Sequence, residues 1–357
     1  MVDVLIAFHI RILCYWIKMQ SLLISLPFIL VATFAGAAEY ELKLHHFYAA
    51  SEPAHKEVLV PWAKKVEELT NGRVSIKIIG GMGLGGKPKD LTTQARTGKV
   101  DIIWTVNGYS GKEFLRTEVF ELPFVHTNDP VATNLAMREM FESDLKEDYQ
   151  GLEVMFLHSS QGHAFQSNGY AVRKPSDLRG KRARTPSRTG AWTLETLEAQ
   201  PFSVPVRSIP QTLQRRMVTT IMLPFTANPL LKLNQHITHM TEGHEATRFG
   251  TAIFQVSMGQ DKWDSLPSDI QAAFGQANDE WILRKAGEVW HEDENRGLAL
   301  MKKFKREHVV LNESETAAFE KALQPVTERW IKEVEKEGID GRALVNKAKT
   351  LIEKHSE

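Results

Sequence analysis

The chain has 357 residues, 44 Lys and Arg against 44 Asp and Glu, 42% hydrophobic residues and one cysteine. That length allows two domains with cores of their own, and the even charge balance excludes a global attraction to nucleic acid or anionic lipid. The lone Cys14 lies in an N-terminal stretch that reads as removable and lacks a leucine three positions before it, which excludes disulfides, thiol catalysis and a lipid anchor for the rest.

Residues 21–34 (SLLISLPFILVATF) are apolar but too short to span a bilayer comfortably, and Ala35, Gly36 and Ala37 follow at once. This is the pattern of an export signal with its cleavage site, flanked by Arg11 and Lys18. The mature chain is expected to begin at Ala38 or Glu39. Loss of residues 1–37 removes Arg11, Lys18 and Asp3 and leaves 42 basic against 43 acidic residues. No later run approaches the ~20 apolar residues of a spanning helix.

Period-2 apolar runs then alternate with amphipathic stretches, the pattern of an α/β protein with largely parallel sheets. Strands are predicted at residues 41–47, 74–79, 100–106 and 152–157, and helices at 54–70, 87–97 and 130–148. The run VDIIWTV at 100–106 is nearly continuous in hydrophobicity and should be buried on both faces. A second series starts near residue 162, with strands at 164–172, 181–184, 218–223 and 251–258 and helices at 190–199 and 209–216. Beyond Pro267 the chain reads as helical, over 270–306, 313–337 and from 341 on. A helix of that first length fits a spine shared by two interleaved domains, since no Pro/Gly-rich linker divides the chain.

The loop at residues 80–87 (GGMGLGGK) satisfies G-x-G-x-x-G through Gly81, Gly83 and Gly86 and nearly makes a P-loop. Pro88 stands where the P-loop needs Ser or Thr, and Asp101 begins the next strand where a dinucleotide fold wants an acid at its end. A tight turn is the better reading. His236, His239 and His244 lack the spacing of a zinc motif, and His291 and Glu292 fail likewise for want of a second histidine. There is no G-x-S-x-G elbow and no cysteine nucleophile. Nothing in the sequence calls for an enzyme or a cofactor. One basic stretch differs: residues 173–188 (RKPSDLRGKRARTPSR) set seven cations around a short strand, and Arg184 ends that strand before Thr185-Pro186. Open α/β sheets bind ligands at such strand ends, and a guanidinium there offers a planar fork for a carboxylate.

These residues belong to a longer pattern. Asn71-Gly72-Arg73, Leu84-Gly85-Gly86-Lys87, residues 98–102 (GKVDI), Tyr109, Phe114, residues 117–124 (TEVFELPF), residues 177–186 (DLRGKRARTP), Leu213-Gln214, Pro224-Phe225 and residues 263–267 (WDSLP) resemble, in this order, the solute-binding proteins of tripartite ATP-independent periplasmic (TRAP) transporters. The resemblance implies a two-lobed periplasmic binding protein fold, with hinge strands and a long helix spanning both lobes. By residue number it implies a signal peptide at 1–37, a discontinuous lobe I at 38–162 and 256–310, lobe II at 163–255, and C-terminal helices at 311–357 packing on the lobes. It further implies that Arg184 grips the carboxylate of a small organic acid. His46, Phe47, Asn107, Tyr109, Pro224 and Phe225 are expected around it by position, with Trp104 as a further aromatic wall. The implied partner is a TRAP permease in the membrane, with the protein itself periplasmic. An exported hydrolase or lyase, or a ligand-binding module of a sensor, are the alternatives. The chain departs from the family at Arg216, where a glycine is usual, and at Thr219-Thr220, where Asp-Gly is usual. Those changes are expected to remove an acceptor near the ligand-facing edge of lobe II.

Overall fold

The computed structural model describes residues 38–356; the expected export signal, its expected cleavage site and Cys14 lie outside the described residues. Two sheets organise the chain. The first runs β2-β1-β3-β10-β4, formed by β1 (Tyr40–His46), β2 (Val74–Ile79), β3 (Ile102–Val106), β4 (Leu152–Ser159) and β10 (Ile253–Gly259). The second runs β11-β9-β5-β8-β6-β7, formed by β5 (Ala164–Ser167), β6 (Arg182–Arg184), β7 (Gln200–Phe202), β8 (Thr220–Leu223), β9 (His239–Glu242) and β11 (Glu307–Val310). All five residues of β3 are buried, as their unbroken hydrophobicity predicts.

The sheets are mixed rather than largely parallel. In the first, β10 enters antiparallel between β3 and β4; in the second, β5 is antiparallel to both β8 and β9. The cause is topological. The chain leaves the first sheet at residues 160–163 and returns at residues 243–252, so the strands flanking each passage cannot keep one direction. The sequence pattern also misses β7, β9 and β11, three or four residues each, too short to display a period. Strand β11 pairs with β9 in the second sheet, so this part of residues 256–310 does not stay with the first sheet.

The helices are α1 (Val60–Leu69), α2 (Leu91–Arg96), α3 (Pro130–Met140), α4 (Arg188–Thr196), α5 (Ile209–Gln214), α6 (Ala227–Leu230), α7 (Gln260–Asp264), α8 (Ser268–Ala277), α9 (Glu280–Lys303), α10 (Glu313–Glu335) and α11 (Gly341–Ser356). The single helix expected over 270–306 is two helices, α8 and α9. Asn278 closes the first, and Asp279, extended at φ −73°, ψ −179°, caps the second through its side chain to the Glu280 amide. The capping carboxylate gives α9 a start of its own. The helix expected over 130–148 ends at Met140 and continues as a π turn and a 3₁₀ turn.

Helix α9 packs on α3 and β4 beside the first sheet and on α6 and β11 beside the second. Two glycines let it approach both. A Cβ at Gly287 would overlap Val131 of α3, and one at Gly297 would overlap the Phe225 carbonyl. Of the C-terminal helices, α10 lies on α4 and α11 on α3, one for each sheet's helical layer.

Candidate ligand-binding site

Arg184 ends β6, an interior strand paired in parallel with β7 and β8. Its side chain is only 1% exposed. Nε and Nη2 donate to the Val204 carbonyl at 3.3 and 3.2 Å, and Nη1 has no hydrogen-bond partner. Among the described residues no carboxylate forms a salt bridge with it. Burial pushes its pKa down, and the phenols of Tyr109 and Tyr48 beside it act the other way. A buried cation without a counter-charge is costly.

Around this guanidinium the two sheets form a narrow cleft. The first sheet's side contributes Tyr48, Val106, Tyr109, Phe254 and, from α9, Trp290. The second contributes Arg184, Pro186, Val206, Leu223, Pro224, Thr226 and Ala227, and the passages between sheets contribute Ser160, His163 and Ala252. An outer recess shares Tyr109, Arg184 and Pro186 with this cleft and carries Lys87 and Lys89 on its rim. A larger recess between α3 and β4 shares no residue with the cleft.

Of the eight residues expected at the site, Arg184, Tyr109 and Pro224 line the cleft. The other five are packed behind it. Phe47 lies edge-on to Tyr48 and Tyr109, with ring centroids 4.7 and 5.5 Å away, and so holds both phenols in place. Trp104 stacks on Phe254 at 5.2 Å and donates its indole N–H to His158 at 2.8 Å. His46 is bonded to His55 at 2.8 Å, and burial keeps it neutral, its pKa pushed down to about 3. Asn107 donates to the Tyr149 hydroxyl and accepts from Gln255, both at 2.8 Å. Phe225 turns away beneath the Arg248 guanidinium, 4.7 Å from its ring. Phe47 and Tyr48 follow β1 in a bend, and of the two only Tyr48 lines the cleft.

Tyr48, His163, Phe254 and Trp290 escape sequence reasoning. Trp290 sits on a segment that the sequence predicts only to be helical; His163 lies in a passage between sheets, for which no periodic signal exists. The Gly80–Lys87 loop is a tight turn, as expected. Most of its amides are consumed within the protein, from Gly81 to the Tyr48 carbonyl, Met82 to that of His46, Leu84 to His45 Nε2 and Gly85 to the Met82 carbonyl, which leaves no row of free amides to cradle a phosphate. No cluster of metal ligands occurs among the described residues.

Segments of the two sides also meet beside the cleft. Arg188 of α4 pairs with Glu118, its Nε 3.1 Å from Oε1. Thr189 donates to Glu121 at 3.3 Å, and Arg207 to the Phe47 carbonyl at 3.0 Å. Glu121 is buried beside Glu118, and both burial and that neighbouring charge push its pKa up to about 8.

Arg216 keeps the left-handed conformation of the glycine usual there, at φ 54°, and its carbonyl accepts from Arg182. Thr219 and Thr220 lie at the start of β8, at the opposite end of the strand from the Leu223 and Pro224 of the cleft wall. The expectation that they alter the ligand-facing edge is corrected: they are remote from it.

A family model described as bacterial extracellular solute-binding protein, family 7 (DctP), matches residues 44–333. The chain belongs to this family. Among solved TRAP solute-binding proteins it is similar to one from Rhodoferax ferrireducens in complex with copurified benzoate, at 29% identity and a TM-score of 0.84, covering 88% of this chain and 98% of that one. It is also similar to a marine metagenome protein specific for aromatic acid ligands, in complex with metahydroxyphenylacetate, at 28% identity and a TM-score of 0.85, covering 89% and 100%. A Bordetella bronchiseptica TRAP protein with bound mandelate shares the fold at 18% identity and a TM-score of 0.81, covering 88% and 99%. This TRAP solute-binding protein thus has the two-lobed fold of its family, its cleft lying between the sheets.

Proposed function

We propose that the protein captures a monocarboxylate bearing one aromatic ring and delivers it to a TRAP-type permease, working in the periplasm after export. The observation that carries this reading is Arg184, a buried cation whose Nη1 has no partner and which no acid among the described residues neutralises. A ligand carboxylate supplies the missing charge. Tyr48, Tyr109, Phe254 and Trp290 give the same cleft an aromatic wall, suited to a flat apolar body. The aromatic acids bound by the relatives at 28–29% identity support the same class.

The mechanism needs no chemical step. Closing the lobes withdraws Arg184 from water, and without an anion that step is unfavourable; with one, each charged hydrogen bond contributes about 1.5–3 kcal/mol. The ligand shifts the equilibrium toward closure by this difference. Lys87 and Lys89 on the rim favour approach of an anion.

Isothermal titration of the protein lacking residues 1–37 with benzoate and phenylacetate tests the reading. Binding that falls ~100-fold or more in Arg184→Gln, with the fold intact, is the expected result. Absence of binding across a panel of aromatic acids, or equal affinity in the variant, rejects it.

A further inference from the structure

We propose that His163 recognises a hydroxyl group on the ligand, so that hydroxylated aromatic acids are preferred over their unsubstituted parents. The inference rests on the aromatic-acid reading of the cleft and adds a polar group to the ligand class.

The imidazole lines the same cleft as Arg184 and is 2% exposed, yet its Nε2 has no hydrogen-bond partner. Of the other buried histidines nearby, His45 Nδ1 meets Gln94, His46 Nε2 meets His55 and His158 meets Trp104, all at 2.8 Å. His46 and His126 each have an orphan nitrogen too, but each is hydrogen-bonded at its other nitrogen and neither lines the cleft. An unsatisfied buried ring nitrogen is destabilising, so its retention at the cleft wall points to a partner brought by the ligand.

The position of His163 is fixed by its backbone. Its amide donates to the Gly250 carbonyl at 2.6 Å and its carbonyl accepts from the Phe249 amide at 2.9 Å. This pairing of the two passages between the sheets places the ring without any side-chain bond. Burial, with the nearby His126 and Arg184, keeps the imidazole neutral, its pKa pushed down to about 3. A neutral imidazole is a weak partner for a carboxylate beside a guanidinium, but a hydroxyl both donates and accepts and satisfies either tautomer. Ser160, also on the wall, turns its hydroxyl to the Gln161 carbonyl and leaves the role to His163.

The test compares the affinities of benzoate and phenylacetate with those of their 2-, 3- and 4-hydroxy isomers, on the wild-type protein and on His163→Phe and His163→Asn. In the wild type at least one hydroxy isomer is expected to bind ~10-fold more tightly than its parent, the equivalent of about 1.4 kcal/mol. His163→Phe should abolish that preference, and His163→Asn should keep part of it. A wild type that binds no hydroxy isomer better than the parent overturns the inference, whether or not the variants fold. An equal loss for parent and hydroxy acid in His163→Phe also overturns it. Failure of every acid to bind, by contrast, rejects the aromatic-acid reading itself.

Discussion

Two arginines of this protein are almost equally buried, Arg184 at 1% and Arg248 at 2% exposure, and they have opposite surroundings. Arg248 pairs with Glu242 of β9 and with Glu294 of α9, the latter at 2.8 Å, while Glu294 also accepts from the Thr226 amide at 2.8 Å. It ties the spine helix to the second sheet. Arg184 has a carbonyl, nearby phenols and no acid. A buried cation completed by the chain's own carboxylates serves the fold, whereas one left incomplete is available to the proposed ligand.

The largest expected effect separates the two directly. Arg248→Gln leaves Glu242 and Glu294 buried without their cation and should destabilise the protein by about 3–5 kcal/mol in denaturant unfolding. Arg184→Gln removes a charge that nothing in the chain needs, so its unliganded unfolding midpoint should be no lower than wild type while affinity falls ~100-fold. Equal destabilisation by both would erase the distinction.

The spine contact comes next. Gly297→Ala forces a methyl group against the Phe225 carbonyl, at a cost of about 1–3 kcal/mol in chemical unfolding. It should also weaken ligand binding, because Pro224 and Thr226 flank that carbonyl on the cleft wall.

Proton linkage extends the comparison to buried groups without counter-charges. Glu121 has its pKa raised from 4.5 to about 8, so the stability it contributes is full below pH 4.5 and is lost as pH rises toward 8. Thermal unfolding of Glu121→Gln should lose that alkaline decline. His158 and His163 are lowered from 6.5 to about 3, so their contribution is full above pH 6.5 and is lost as pH falls toward 3. An unfolding profile flat from pH 4 to 8 contradicts both assignments.

The smallest effect concerns a site remote from the cleft. Arg216 is exposed and left-handed, and Arg216→Gly should raise stability by up to about 1 kcal/mol, relief of left-handed strain offset by the glycine's larger unfolded entropy. Ligand affinity should not change.

Much of this molecule was legible in the order of its residues. The alternation of strands and helices, the short strand ending in Arg184 and the turn nature of the glycine loop all follow from local pattern or family resemblance. Phe47, Trp104 and Phe225 show where this stopped: an aromatic beside a binding strand faces either cleft or core, and residue type does not say which. The break at Asp279 was hidden because Asp inside a charged amphipathic run reads as one more solvated position until its side chain is seen capping α9.

The sequence by itself determined the class of fold, the separation into two sheets' worth of elements and the placement of one cation at a strand end, because these depend on hydrophobic period and turn chemistry within short windows. Only the tertiary structure decided that Arg248 is neutralised and Arg184 is not, that His163 is left without a partner, and that Glu121 is buried beside Glu118. Each of those depends on which distant segments meet and what water they exclude, and charge becomes decisive only after that exclusion.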